Sequence, residues 1–128
     1  MPKYLTQEWL DEARRLGADQ PERPGASVRV NYVVTRGPGD EVLYHTVLQN
    51  GRVVESGLGS LDDAEVTLSS SWADSVSVAR GELDINTAFM QGKVKVAGHM
   101  AKLMSLLPLY KTPEYLALQE RIRADTEF

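Results

Sequence analysis

Apolar and polar residues alternate in the first half of the chain. Between residues 27 and 35 the even positions, from Val28 to Val34, are apolar, whereas Arg29 and Asn31 are polar. A period of two places alternate side chains on one face of a strand, and it is typical of a strand with one buried face. Residues 27–35 are therefore predicted to form the first strand.

Two further strands are predicted at residues 41–49 and 52–58, joined by Asn50-Gly51. A two-residue type I′ turn needs positive φ at both central residues, which this dipeptide tolerates. The third strand contains Gly57, which weakens it and favours a place at the sheet edge. The turn also sets a register, with the pairs Gln49–Arg52, Leu48–Val53 and Val47–Val54.

The second half of the chain mixes helical patterns with two more strands, at residues 64–70 and 93–97. The helical stretch between them, about twenty residues, is long enough for a parallel crossover. Helix starts are predicted at the N-cap residues Thr6, Ser71, Asp84 and Thr112, and an apolar helix at residues 99–107. The sum is an α+β fold: a five-stranded mixed, mostly antiparallel sheet covered on one face by helices.

The composition changes this picture little. The 128 residues are 42% hydrophobic and 25% charged, close to average globular usage. A chain of this length buries about two-thirds of its unfolded surface, so we expect one domain over residues 1–128. The chain has no cysteine, which excludes thiol nucleophiles, disulfide bonds and cysteine-ligated metals.

Charge and targeting signals exclude several classes of protein. Fourteen basic and eighteen acidic residues give a net charge of −4, whereas a nucleic-acid-binding domain usually has a basic face. Charged residues occur throughout the first twenty positions, and the chain does not end in an SKL-type peroxisomal signal. We therefore expect a cytoplasmic protein with no nucleic-acid partner and no stable membrane insertion.

One apolar helix face is a candidate ligand surface. Met100, Leu103, Met104 and Leu107 recur at i, i+3, i+4 and i+7, which places them on one face of a helix. Methionine is flexible and polarisable, so it suits surfaces that adapt to irregular contents. The same spacing also occurs in an ordinary packed core.

The stretch from residue 64 to residue 108 carries the most distinctive pattern. It combines the strand AEVTLSSS, the helix start WADSVSVARGE and the block LDINTAFMQGKVKVAGHMAKLMSLLP. Within that block, AFMQGKVKVAGHMAKLM resembles the signature of the sterol carrier protein 2 (SCP-2) family: Ala-Phe, a Gly-Lys-hydrophobic-Lys strand, a glycine and a methionine-containing helix. The order of elements agrees over nearly the whole chain.

The resemblance implies an SCP-2-like sheet with helices packed over it and an apolar tunnel that holds lipids. Better-known eukaryotic members end in a peroxisomal signal, which this chain lacks. The resemblance is therefore to a stand-alone, cytoplasmic, bacterial-type member, whose ligand need not be a sterol.

A lipid pocket is predicted between the helix at residues 99–107, the helix before it and the C-terminal helix. Its predicted ligand-binding residues are Trp72, Phe89, Met90, Met100, Leu103, Met104, Leu106, Leu107, Tyr115, Leu118 and Ile122. The alternative is a close-packed core, because an empty cavity destabilises a protein. A bound lipid would offset that loss.

No pattern predicts a catalytic residue, a metal or a cofactor. His45 and His99 stand alone, without the spacing of a zinc site. The acids at 62–63 and Asp84 are typical of turns and helix caps. The serines at 69–71 lack a nucleophile elbow.

Three functions stay open at this point. The first is non-enzymatic binding or transfer of a fatty acid, a phospholipid or a sterol-like lipid, so the expected partner is a hydrophobic small molecule. The second is an interaction module without a cavity, whose apolar face docks a second copy or another enzyme; the edge strand at 52–58 could pair across a two-fold axis. The third is a small cone-shaped enzyme of the ketosteroid-isomerase type; such cones typically end in strands, whereas this chain ends in two helices.

Overall fold

A mixed sheet of five strands forms the framework of the protein. The computed structural model describes all 128 residues. Its strands are β1 (Val28–Gly37), β2 (Asp40–Gln49), β3 (Arg52–Leu58), β4 (Val66–Ser71) and β5 (Val94–Gly98). Their order is β3-β2-β1-β4-β5, with β1 and β4 parallel and the other neighbours antiparallel. The predicted fold class and the edge position of β3 are confirmed.

Five helices complete the fold, and four of them begin at the predicted caps. The helices are α1 (Gln7–Leu16), α2 (Trp72–Ala79), α3 (Ile85–Met90), α4 (Met100–Leu106) and α5 (Pro113–Ala124). The side chains of Thr6, Ser71, Asp84 and Thr112 each accept a hydrogen bond from the backbone N–H three residues later. None of the helices combines the length and the low polarity that crossing a membrane requires.

The Asn50-Gly51 turn forms as predicted, but the register beyond it differs in one pair. Gln49 pairs with Arg52 and Leu48 with Val53, as expected. Val47 pairs with Glu55 rather than with Val54, because a β-bulge inserts one extra residue into β3. The bulge leaves the Glu55 side chain exposed and buries that of Ser56.

The predicted parallel crossover between β4 and β5 is wrong. Val94 at the start of β5 pairs with Ser70 at the end of β4, so the two strands are antiparallel. Helices α2 and α3 have only eight and six residues, and they return the chain to the end of the sheet that it left. The parallel pair is instead β1 with β4, which the β2–β3 hairpin separates in sequence.

The core on the covered face of the sheet consists of two clusters of buried residues. The large cluster contains Ala26, Val28, Val30, Leu48, Val66, Leu68, Ala88, Val94, Leu103, Leu106 and Leu109. The small cluster contains Tyr4, Leu5 and Val34, with partly buried aromatic and aliphatic side chains around them. Along β1, Val30 belongs to the large cluster and Val34 to the small one. The boundary between the clusters therefore falls at Tyr32.

Candidate ligand-binding cavity

A cavity of about 480 Å³ lies between the sheet and the helices, and side chains of both clusters line it. Its volume is within the range of about 300–1,000 Å³ that is usual for ligand pockets. Of its 36 lining residues, 22 are hydrophobic. The sheet supplies one wall, mainly through β1 to β4, and α1, α2 and α5 supply much of the other. The cavity thus occupies the boundary between two separately packed parts of the core.

All five tyrosines of the chain line this cavity. Tyr32 and Tyr44 are cross-strand partners on the covered face, and their rings stack at a centroid distance of 4.4 Å and an interplanar angle of 2°. Tyr110 and Tyr115 lie opposite, in the turn before α5 and in its first helical turn, with ring centroids 5.3 Å apart. We refer to these four residues as the tyrosine cluster.

Local sequence places each pair of tyrosines. Tyr32 stands at an even position of β1, between Val30 and Val34, so the alternation of the strand directs it to the covered face. Tyr115 follows the cap residue Thr112 by three positions, and its backbone N–H donates to the Thr112 hydroxyl at 3.3 Å. The cap therefore fixes the first turn of α5 and with it the position of Tyr115.

The tyrosine hydroxyls are neutral at physiological pH. Burial raises the pKa of Tyr32 and Tyr115, and it raises the pKa of Tyr44 and Tyr110 further, with repulsion among the tyrosinates as a second cause. Burial also raises the pKa of Tyr4, to about 12. Tyr4 is buried, and the other four phenols are partly buried at the border of the cavity.

The hydroxyls differ in their hydrogen-bond partners. The Tyr4 hydroxyl shares a hydrogen bond with the Ser75 hydroxyl at 2.6 Å, and that of Tyr32 accepts one from Thr46 at 3.4 Å. The hydroxyls of Tyr44, Tyr110 and Tyr115 have no partner within the protein. Three hydrogen-bonding groups thus face the cavity with their capacity unused.

The few charged side chains around the cavity are already engaged. The Arg14 guanidinium donates to the Ser56 hydroxyl at 3.0 Å, Arg52 donates to the backbone carbonyl of Gln20, and Arg123 donates to the carbonyl of Ala79 at 3.3 Å. The one carboxylate, Asp84, caps α3. No lysine or histidine lines the cavity.

The two ends of the chain meet beside the cavity. Lys3 and Glu127 form a β-bridge, and the indole N–H of Trp9 donates to the Thr126 hydroxyl at 2.9 Å. Tyr4 packs edge-on against Trp9, and the Phe128 ring lies 5.4 Å from that of Tyr4. This aromatic contact closes the side of the cavity formed by the small cluster.

The sequence model of the SCP-2 sterol transfer family matches residues 18–111, which span β1 to the turn before α5. The chain belongs to this family. Its recognition from the residue pattern alone is confirmed. No curated protein matches the sequence of this SCP-2 family member.

Structures of similar fold agree with this assignment. A crystal structure of sterol carrier protein 2 has a TM-score of 0.73 and 19% identity, over 94% of this chain and 98% of the other. A conserved hypothetical protein from Thermus thermophilus has a TM-score of 0.74 and 18% identity, over 94% and 90%. Palmitated SCP2L2 from Aedes aegypti has a TM-score of 0.63 and 12% identity, over 84% and 92%. At these identities the likeness is one of fold.

The eleven residues predicted to bind a ligand are divided among four places in this SCP-2 family member. Tyr115, Leu118 and Ile122 line the cavity. Leu106 is fully buried in the large cluster, and Trp72 packs beside the small one. The other six line a second, open groove bordered by α3, β5 and α4, and one of them, Leu103, is also buried in the large cluster; the six are Phe89, Met90, Met100, Leu103, Met104 and Leu107. A ligand-binding role for all eleven stays a prediction.

Sequence reasoning missed most of the cavity lining, including every residue that the strands supply. Tyr32, Tyr44, Thr46 and Ser70 line the cavity from the sheet side. The signal for them was present, because hydroxyl-bearing residues replace aliphatic ones at inward positions of β1, β2 and β4. A fully packed face would have carried valine or leucine there.

Proposed function

We propose that this member of the SCP-2 family binds a lipid or another apolar small molecule in the cavity between the sheet and the helices. It acts as a carrier or binding module and not as a catalyst. The observation that carries the proposal is the cavity of about 480 Å³, mostly apolar, at the boundary between two packed clusters. The palmitated state of the Aedes aegypti structure supports an acyl chain as one kind of occupant.

The energetics favour occupation. Removing an acyl chain from water contributes about 0.8 kcal/mol per buried methylene. An empty apolar cavity destabilises the protein, because the side chains around it lose packing contacts. A ligand that fills the space therefore stabilises the folded protein, and it also gains free energy by leaving water. Such a protein should retain its occupant during purification.

The surroundings of the cavity support binding over catalysis. General acid–base chemistry needs a titratable group with a pKa near the working pH. Asp84 is held as a helix cap, with its carboxylate accepting from the Thr87 backbone N–H at 3.1 Å. Both histidines lie outside the cavity lining. The tyrosine hydroxyls stay neutral and can donate hydrogen bonds, which suits recognition of a ligand.

The edge of the sheet supports the carrier over the interaction module. At β3, the side-chain oxygen of Gln7 accepts from the Leu58 backbone N–H at 3.1 Å, and Arg14 donates to the Ser56 carbonyl at 3.2 Å. These bonds use edge groups that a pairing strand would need.

The single domain, the homodimer, the cytoplasmic location and the bacterial type stay predictions.

The proposal is tested by what the protein carries. Native mass spectrometry and solvent extraction of purified protein should show a co-purified fatty acid, phospholipid or sterol-like lipid. A fluorescent fatty acid should bind and be displaced by unlabelled lipid. A clean ligand-free mass together with no binding of the probe would remove the proposal.

A pair of variants on α5 makes the test specific to the cavity. Ile122→Trp places an indole in the cavity, whereas Ala117→Trp places it at an exposed position of the same helix. Probe binding should fall at least about tenfold in the first and stay within about twofold in the second. Equal losses in both would mean that the probe binds elsewhere.

A further inference from the structure

The tyrosine cluster gives the interior of the cavity a defined polar character. Two of its rings come from the sheet and two from the segment around the start of α5, so the cluster lines the cavity from two sides. The hydroxyls of Tyr44, Tyr110 and Tyr115 have no protein partner. The Tyr32 hydroxyl accepts a hydrogen bond from Thr46, so its own hydrogen is free to be donated. Ligand pockets are mostly apolar, with a few polar groups that fix the orientation of the ligand. The free tyrosine hydroxyls are therefore suited to bind a polar group of the ligand.

The surroundings decide which chemical group that partner is. A carboxylate would accept strong hydrogen bonds from phenols. Burying it, however, is costly unless a cation pairs with it. The three arginines at the cavity already have carboxylate partners within the protein. Arg14 lies 3.4 Å from Asp11, Arg52 lies 3.8 Å from Glu22, and Arg123 lies 3.9 Å from Glu120.

The pKa values of the tyrosines indicate that negative charge is disfavoured in the cavity. Burial is the first cause of the raised pKa of every tyrosine in the cluster, so a phenolate is strongly disfavoured there. The same loss of hydration disfavours an ionised carboxylate in the same place. A neutral hydroxyl or carbonyl avoids this penalty and still completes the hydrogen bonds.

We propose that the tyrosine cluster selects apolar ligands with a neutral oxygen group, a hydroxyl or a carbonyl, over ionised carboxylates of the same chain length. The inference rests on the proposed function, since it names the ligand class of the same cavity. A phenol both donates and accepts, so one cluster serves alcohols, ketones and esters. An ionised fatty acid binds with its carboxylate away from the cluster, toward the solvent, or binds weakly.

The test compares two ligands of one chain length, tetradecanol and tetradecanoate, by displacement of a fluorescent probe near neutral pH. The wild-type protein should bind the alcohol at least about tenfold more tightly. Three single variants are tested: Tyr44→Phe, Tyr110→Phe and Tyr115→Phe. Where the removed hydroxyl bonds to the alcohol, the affinity for tetradecanol should fall by roughly three- to tenfold and the affinity for tetradecanoate should stay unchanged. The triple variant should have lost the preference.

A control and a spectroscopic measurement separate recognition from general damage. Thr67→Val removes a hydroxyl from the uncovered face of the sheet and should leave both affinities unchanged. The carbonyl stretch of a bound long-chain methyl ketone should shift to lower frequency in the wild-type protein, as hydrogen bonding requires, and less so in each single variant that folds. This readout does not depend on the triple variant being stable.

The outcomes distinguish this inference from the proposed function. If neither ligand displaces the probe and none is extracted, the proposed function fails. If both bind but tetradecanoate is equal or tighter, or the preference survives in the triple variant, the inference is overturned and the carrier function stands. An unshifted carbonyl stretch in the wild-type complex also overturns it.

Discussion

The large cluster and the cavity lie on the same face of the same strands, yet one is solid and the other hollow. On β1, Val28 and Val30 are 1% exposed in the large cluster, and two residues further on Tyr32 borders the cavity. The alternation of the strand is unbroken between them. The pattern along a strand thus identifies the covered face, whereas the helices above it decide whether the space is filled.

Two helices account for the difference. α4 packs on β4 and buries Leu103 and Leu106 in the large cluster. α5 has α1 and the turn at Leu109–Lys111 as its main neighbours, and not a strand. Residues of α5 such as Tyr115, Leu118 and Ile122 therefore border the cavity. Removing bulk, adding bulk or adding charge should have different effects in the solid and hollow regions.

The largest expected effect is unfolding at alkaline pH. An unfolded tyrosine ionises near pH 10, whereas the folded protein keeps all five protonated to higher pH, Tyr4 to about 12. Above pH 10 the unfolded chain therefore releases protons that the native state retains, so stability falls as the pH rises. Below pH 10 these groups leave stability unchanged.

This expectation is checked by following tyrosinate absorbance and circular dichroism in one titration. The absorbance should rise steeply and together with the loss of secondary structure, because the phenols ionise only as the protein opens. A gradual rise centred near pH 10 in a protein that stays folded would mean that the cavity is openly hydrated. That result would show that the tyrosines of the cavity are in contact with bulk water in the folded protein.

The next largest effect should come from removing leucine side chains in the two regions. Leu106→Ala should lower the free energy of unfolding by about 3–5 kcal/mol, because Leu106 is fully buried among close-packed neighbours. Leu118→Ala borders existing space, so it should cost about 1–2 kcal/mol and change ligand affinity as well. Urea unfolding with and without ligand measures both. Equal losses would indicate that the region around Leu118 is packed as tightly as the large cluster.

Adding the same bulk to both regions should give effects of different kinds. Ala88 is fully buried in the large cluster, so Ala88→Leu should cost about 1–3 kcal/mol through overpacking. Ala13 borders the cavity, so Ala13→Leu should change stability by less than about 1 kcal/mol and weaken ligand binding several-fold. Thermal unfolding and probe titration distinguish the two. A large loss of stability in Ala13→Leu with unchanged ligand binding would contradict the presence of open space beside Ala13.

Much of the fold was predictable because its determinants are local. The caps Thr6 and Asp84 and the Asn50-Gly51 turn depend on a few neighbouring residues, and they form as predicted. The bulge in β3 depends on which of Glu55 and Ser56 meets the covered face, and this is set by a partner strand. The direction of β5 depends on how two short helices fold back in space.

The cavity was harder to locate, because the sequence around α4 is apolar on more than one side. One apolar stripe runs from Met100 through Leu103 and Met104, and a second joins Leu103 to Leu106, so the two stripes share Leu103. The structure buries Leu103 and Leu106 and leaves Met100 and Met104 more than half exposed. Periodicity does not choose between two apolar stripes on one helix; packing against the sheet does. The cavity wall from α5 was predicted in part, through Tyr115, Leu118 and Ile122.

The smallest effect is expected on that exposed side of α4, and it bears on where the ligand ends. Met104 is 58% exposed in the open groove, so Met104→Gln should change stability by less than about 0.5 kcal/mol. Ile122→Gln places an amide in the cavity and should weaken binding of a fluorescent fatty acid by about tenfold or more. If the ligand is confined to the cavity, Met104→Gln keeps the affinity within about twofold. A loss as large as that of Ile122→Gln would mean that the occupant reaches from the cavity into the groove, as the methionine pattern of the sequence first suggested.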